Sequence, residues 1–230
     1  MKECDWSSDV CSSDLEFYMK TILCFGDSNT YGYQPETKKR YDETTRWTCL
    51  LQQAIQPYGW RVVEEGLCGR TTNLNGIRRE NRNGAAVLPM LLESHAPLDA
   101  VILMLGTNDC KTQFHATPES IGAGIEALIA QVRAFDEQLP ILLVSPIHLA
   151  ADIAEKDPAF SADSVPISYA LKSVYAAIAE REHCMFFAAS DYAEPSDADG
   201  EHLDAEGHQK LTKQMLNALQ SLLCGKEQEK

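Results

Sequence analysis

Ile22-Leu23-Cys24-Phe25-Gly26-Asp27-Ser28-Asn29-Thr30-Tyr31-Gly32 runs from four apolar residues straight into Gly-Asp-Ser. A short apolar run closed by a turn former reads as a buried strand. Residues 21–25 are therefore expected to build a strand that ends by presenting a hydroxyl, Ser28. Four further runs have the same character, at 61–65, 100–105, 141–144 and 185–188, each rich in β-branched, leucine or aromatic residues. Between them lie segments whose apolar residues recur every three to four positions, predicting helices over 45–56, 84–94, 118–138, 168–183 and 205–224. Thr117 before Pro118 supplies a capping residue and a proline at the first helical position. Apolar runs alternating with amphipathic segments imply an α/β chain with a parallel sheet covered on both faces. The expected fold is a three-layer α/β/α sandwich around a five-stranded parallel sheet.

The 230 residues suit one domain with a large core. A formal charge of −14 leaves little for a positive face, which argues against nucleic acid and an anionic membrane surface as partners. No run is long enough to cross a bilayer, and no secretory layout opens the chain, so a cytoplasmic location is expected. Residues 1–18 hold a near-repeat, Cys-Asp-Trp-Ser-Ser-Asp then Cys-Ser-Ser-Asp, without periodicity. They read as a non-native or disordered extension, followed by a domain over 19–224 and a frayed tail over 225–230. Cys24, Cys49, Cys68, Cys110, Cys184 and Cys224 are scattered singly and read as reduced space-fillers. Neither a metal nor another cofactor is expected. The connection from 145 to 166 is long and carries Pro146, Pro158 and Pro166.

Ligands of open parallel sheets bind beyond the carboxyl ends of the strands. The loops there read Gly26-Asp27-Ser28, Gly66-Leu67-Cys68-Gly69, Gly106-Thr107-Asn108-Asp109 and Asp199-Gly200-Glu201-His202. They assemble a hydroxyl, a turn glycine, an amide and an Asp/His pair, which are the parts acyl transfer needs. Asp199 and His202, three apart before a helix, can put a carboxylate on Nδ1 and leave Nε2 free. His148 is the competing base and ranks below His202. His208 looks like a first-turn helix residue, and His95, His115 and His183 carry no partner pattern. Asp27 is assigned to the turn, because a carboxylate beside the nucleophile opposes a developing oxyanion. Cys68 and Cys110 lack the base that a cysteine nucleophile requires. Arg70, Arg78, Arg79 and Arg82 read as a solvated face or subunit contact rather than an anion site.

The four blocks, in this order, resemble the SGNH hydrolases, or GDSL esterases, over roughly residues 20–223. Arg70-Thr71-Thr72, Pro97-Leu98-Asp99 and Met104-Leu105-Gly106-Thr107-Asn108-Asp109 look most like the arylesterase and acyltransferase subgroup. The resemblance implies flavodoxin-like strand order and a serine esterase or acyltransferase acting on small carboxylic esters, with water or an alcohol as acceptor. Ser28 is then the nucleophile, His202 the base and Asp199 its orienting carboxylate. Ser28, Gly69 and Asn108 form the oxyanion hole. The resemblance also implies an acyl pocket beside Tyr31 and Tyr33, with His148 as a wall, and a homo-oligomer. With His202 as base, activity is expected to rise with pH through about 6 to 7. A carbohydrate O-acetyl esterase on the same scaffold stays open. From a different class, so does a flavodoxin-like mononucleotide-binding module, with Ser28, Asn29 and Thr30 around a phosphate.

Overall fold

Along the first strand, Ile22 and Cys24 turn to one face and Leu23 and Phe25 to the other, and all four are buried. A strand alternates sides at every residue, so an unbroken apolar run needs cover on both faces. The computed structural model, which describes residues 19–76 and 79–223, supplies that cover. Its elements are β1 (Lys20–Gly26), α1 (Ser28–Tyr31), β2 (Tyr33–Gln34), β3 (Lys39–Arg40), α2 (Trp47–Ile55), β4 (Trp60–Gly66), α3 (Gly84–Ser94) and β5 (Ala100–Met104). There follow α4 (Pro118–Phe135), β6 (Ile141–Ser145), α5 (Ile153–Lys156), α6 (Ser164–Arg181), β7 (Met185–Ala188) and α7 (Ala205–Leu223).

The sheet runs β4-β1-β5-β6-β7 with every neighbouring pair parallel, the flavodoxin-like order. Leu23, Phe25, Val101, Leu103, Ile141 and Leu143 pack under α3, α4 and α6. Ile22, Cys24, Ile102, Met104, Leu142 and Val144 pack under α2 and α7. All five expected strands form, and the three-layer expectation holds.

Several boundaries differ, each for a local reason. Helix α6 starts at Ser164 rather than 168, taking in Pro166, which sequence reading assigned to the loop. A proline in the first helical turn has no N–H bond to lose. Ser164 Oγ also holds that start, donating to Cys110 O and accepting from Ser161 N. Helix α2 starts at Trp47 rather than 45, because Asp42 gathers Thr44 N and the Thr44 and Thr45 hydroxyls into a turn. Helix α4 ends at Phe135, three residues short of the expected 138, and starts with a capping box between Thr117 and Ser120. The β2–β3 ribbon and α5 were not anticipated. Pro89 sits inside α3 and leaves Ala85 O without its helical donor, which Gln131 Nε2 of α4 replaces at 2.8 Å. Among the described residues no helix is long and apolar enough to cross a membrane, and no group of three or more potential ligands could hold a metal ion. The extension 1–18, the tail 225–230, Cys224 and Arg78 lie outside the described residues.

Candidate active site

Strands β1 and β4 end on paired glycines, Gly26 and Gly66. A Cβ on Gly26 would fall 2.0 Å from Thr30 Oγ1, and one on Gly66 would fall 2.1 Å from Tyr31 N. Their missing side chains are what let the single turn of α1 lie across the strand ends. Asp27 caps that turn by accepting Asn29 N at 3.0 Å, and Gly32 closes it at a φ of 80°. Burial pushes the Asp27 carboxyl up to about 6, against the Asn29 N–H bond that lowers it. Ser28 is thus the first residue of a short helix held rigidly at the carboxyl edge of the sheet.

The Asp199–His202 loop meets it there. His202 Nε2 lies 2.7 Å from Ser28 Oγ, and Nδ1 lies 2.6 Å from Asp199 Oδ2. Asp199 Oδ1 accepts the N–H groups of Glu201 and His202, both at 3.0 Å, which fixes the carboxylate as a small turn. Burial would raise the Asp199 pKa, but the bonds from His202 and the two backbone N–H groups outweigh it and hold it below the ordinary value. An ionised carboxylate only accepts, so Nδ1 carries the imidazole proton and Nε2 is the free base. Burial likewise pulls the His202 pKa down. The Asp199 bond and the carboxylates of Glu201, Asp199 and Asp27 more than compensate, so its pKa stands above the ordinary value. The Tyr33 ring lies 4.5 Å from the imidazole, centre to centre.

Gly69 and Asn108 line one cavity of about 620 Å³; Ser28 does not line it and is 4% exposed. Asn108 is held in one amide orientation: Oδ1 accepts from Lys111 Nζ at 2.7 Å and Nδ2 donates to Arg70 O at 3.2 Å. A lysine can only donate and a carbonyl only accept, so the amide cannot be reversed, and one Nδ2 hydrogen remains. Gly69 takes a φ of 84°, a conformation glycine enters without strain. Neither its N–H nor that of Ser28 has an acceptor among the described residues. Asp109, next to Asn108, takes Thr72 N at 3.0 Å and Thr72 Oγ1 at 2.6 Å on Oδ1, tying the loop after β5 to the loop after β4. Its burial raises the carboxyl to about 7 despite those bonds.

Tyr31 and Tyr33 line a second cavity of about 370 Å³ with Leu67, Cys68 and Arg79. His148 is elsewhere, stacked on Tyr169 with ring centres 3.8 Å apart, and lines neither cavity. Burial raises the thiols of Cys68 and Cys110, which keeps both protonated. Arg70 is not on a solvated face: it is buried, crosses the Phe25 ring, and donates to Gly26 O and Glu65 O at the ends of β1 and β4. Burial lowers its pKa to about 10. His95 does have a partner, Glu65 Oε1 at 2.9 Å. His208 is fully buried and caps Trp47 N through Nδ1.

Sequence reasoning missed two residues. Asn29 bridges the serine and histidine loops, with Oδ1 accepting Leu203 N at 2.9 Å and Nδ2 donating to Glu201 O at 3.3 Å. Glu201 is 6% exposed and brings a second carboxylate to 3.9 Å from His202 Nδ1. The partners of Asn29 are 172 and 174 residues away, so no local pattern announces it; Glu201 stands next to His202 in sequence, but nothing local shows that its carboxylate is buried.

Residues 24–210 match the sequence profile of the GDSL-like lipase/acylhydrolase family. The chain belongs to this family, the SGNH hydrolases. Among solved structures, this SGNH chain is 36% identical to a carbohydrate acetylesterase family member from Sinorhizobium meliloti, with a TM-score of 0.82 over 90% of this chain and all of that one. It is 34% identical to the aryl esterase of M. smegmatis, with a TM-score of 0.80 over 88% of this chain and 99% of that one. TesA, at 22% identity and a TM-score of 0.65, shares the fold. No match was found among curated proteins. This SGNH hydrolase is accordingly a carboxylic ester hydrolase.

Proposed function

We propose that Ser28, His202 and Asp199 form a catalytic triad that hydrolyses small aryl or short-chain alkyl esters through an acyl-enzyme. The observation that carries this reading is the continuous chain from Ser28 Oγ through His202 to Asp199, 2.7 Å and then 2.6 Å. Ser28 Oγ attacks the ester carbonyl while Nε2 takes the hydroxyl proton, and the new imidazolium is balanced by Asp199. The carbonyl oxygen becomes an oxyanion that accepts from Ser28 N–H, Gly69 N–H and the remaining Asn108 Nδ2 hydrogen. Nε2 then returns its proton to the departing alcohol oxygen, leaving the acyl group on Oγ. Water, or a second alcohol, gives its proton to Nε2 as it attacks the acyl carbon, and Nε2 passes that proton to Ser28 Oγ as the acyl–Oγ bond breaks, releasing the acid or the new ester.

Removal of an O-acetyl group from a carbohydrate is a second reading, favoured by the likeness to the S. meliloti carbohydrate acetylesterase family member. The chemistry is shared, and pocket shape alone separates the two. Phosphate binding at α1 is disfavoured, because Asp27 already caps that turn with a buried carboxylate.

A panel of 4-nitrophenyl esters from acetyl to octanoyl tests the proposal. Ser28→Ala and His202→Ala should each lower kcat by about 10⁴ or more, with His148→Ala close to wild type. Substantial turnover by Ser28→Ala would end the mechanism.

A further inference from the structure

Three cationic residues, Arg79, Arg82 and Lys111, line the cavity beside Gly69 and Asn108, although the chain carries a net −14. Arg79 and Arg82 both flank Gly69: a Cβ there would lie 3.3 Å from Arg79 Nη1 and 3.7 Å from Arg82 Nε. Arg82 uses its guanidinium on the backbone oxygens of Cys68 and Glu80, and neither arginine has an ion pair among the described residues. Lys111 adds a third charge through its 2.7 Å bond to Asn108 Oδ1. Asp157 is the one acid on the wall, and its Oδ1 already accepts Ala159 N at 2.8 Å.

Resting on the esterase reading above, we propose that this cavity selects esters that carry an anionic group, a carboxylate or an equivalent oxyacid, a few bonds from the scissile carbonyl. Two guanidinium groups beside the same glycine repel each other, and burial and the Arg79 charge together lower the Arg82 pKa. An anionic substrate relieves that repulsion and gains charge-assisted hydrogen bonds. Because both arginines lie against Gly69, the substrate anion sits near the reacting carbonyl rather than at the end of a long chain.

The test compares two acids with their own methyl esters, so that charge is the main difference within each pair. 4-Nitrophenyl hemisuccinate carries its carboxylate on the acyl half, and 4-acetoxybenzoate carries it on the alcohol half. In the full-length wild type at low salt, at least one acid should exceed its methyl ester in kcat/KM by about ten-fold. That preference should fall about three-fold or more in Arg79→Gln, mainly through KM. It should be partly restored in Arg79→Lys and weakened by about 0.5 M salt. The pair that shows the preference identifies the half of the substrate bound by the arginines. Methyl esters turned over as well as the acids in both pairs, or an Arg79→Gln loss equal for acid and methyl ester, would overturn the proposal. Ser28→Ala separates the two readings: turnover of all four compounds in that variant would sink the triad itself, whatever the charge preference.

Discussion

The chemistry proposed for Ser28, His202 and Asp199 is legible from the sequence, because each proposed role follows from local order: a strand end, a three-residue spacing, a turn before a helix. Arg70 is the contrary case. Its neighbours in sequence suggest solvent, while its buried guanidinium serves the carbonyls of Gly26 and Glu65. Glu201 was also illegible as a functional residue, although it sits within the Asp199–His202 block. Its buried carboxylate stands 3.9 Å from His202 Nδ1, and its charge helps raise the imidazole pKa. In the proposed mechanism Nε2 must be unprotonated to accept the Ser28 proton, so the raised pKa should place the rising limb of activity above the ordinary histidine value of about 6.5. Glu201→Gln removes one raising charge and keeps the shape. The limb of kcat/KM against pH should therefore move to lower pH, with Asp199 still orienting the ring. A limb that stays in place or moves upward would show that the Glu201 charge does not reach the imidazole.

The strands and most helices could be read in advance because burial on two faces forces apolar runs, and amphipathic helices show their period. The β2–β3 ribbon was not legible. Its two residues per strand, Tyr33–Gln34 and Lys39–Arg40, are too few to show an alternation. Nor could the placement of α1 be read, since it depends on the register of two strands separated by forty residues of sequence. In that register Gly26 and Gly66 meet. A Cβ on Gly66 would strike Tyr31 N at 2.1 Å, Thr30 C at 2.5 Å and Tyr31 Cα at 2.6 Å, all backbone atoms that cannot rotate aside. Gly66→Ala must therefore lift α1, and Ser28 with it. It should destabilise the fold by about 3 kcal/mol and lower esterase activity in step. Gly69→Ala offers a contrast: its nearest neighbour is the flexible end of Arg79, and the main cost is the φ of 84°, about 1 kcal/mol. Thermal unfolding of the two variants should rank Gly66→Ala as the less stable. The reverse ranking would mean that α1 does not rest on the paired glycines.

Proton equilibria set activity and stability at opposite ends of the pH range. Burial raises the carboxyls of Asp27 to about 6 and Asp109 to about 7, well above their unfolded values near 4. The fold holds those protons where the unfolded chain releases them, so stability is lost as pH rises from about 4, the loss ending near about 6 for Asp27 and about 7 for Asp109. His202, also raised, acts in the same direction. His208 opposes them. Burial lowers its pKa to about 4, so the unfolded chain takes up a proton below about 6.5 that the fold refuses, and stability falls as pH drops across that window. Three groups against one, together with relief of the net negative charge on acidification, favour the acid side of neutrality. Below about pH 4 the trend reverses, because the lowered carboxyls of Asp199 and Glu64 become protonated and lose their partners. Scanning calorimetry from about pH 3 to 9 should therefore find the highest Tm between about pH 4 and 5. The ester assay, which in the proposed mechanism needs His202 neutral, should still be climbing there. Asp109→Asn should flatten the fall in Tm between about pH 4 and 7, because there the folded chain holds a proton on Asp109 that the unfolded chain has released. A wild-type Tm that instead increases steadily up to about pH 8 would mean that Asp27 and Asp109 are ionised in the fold. In that case the loops carrying Ser28 and Asn108 would be held by charged carboxylates rather than by neutral ones.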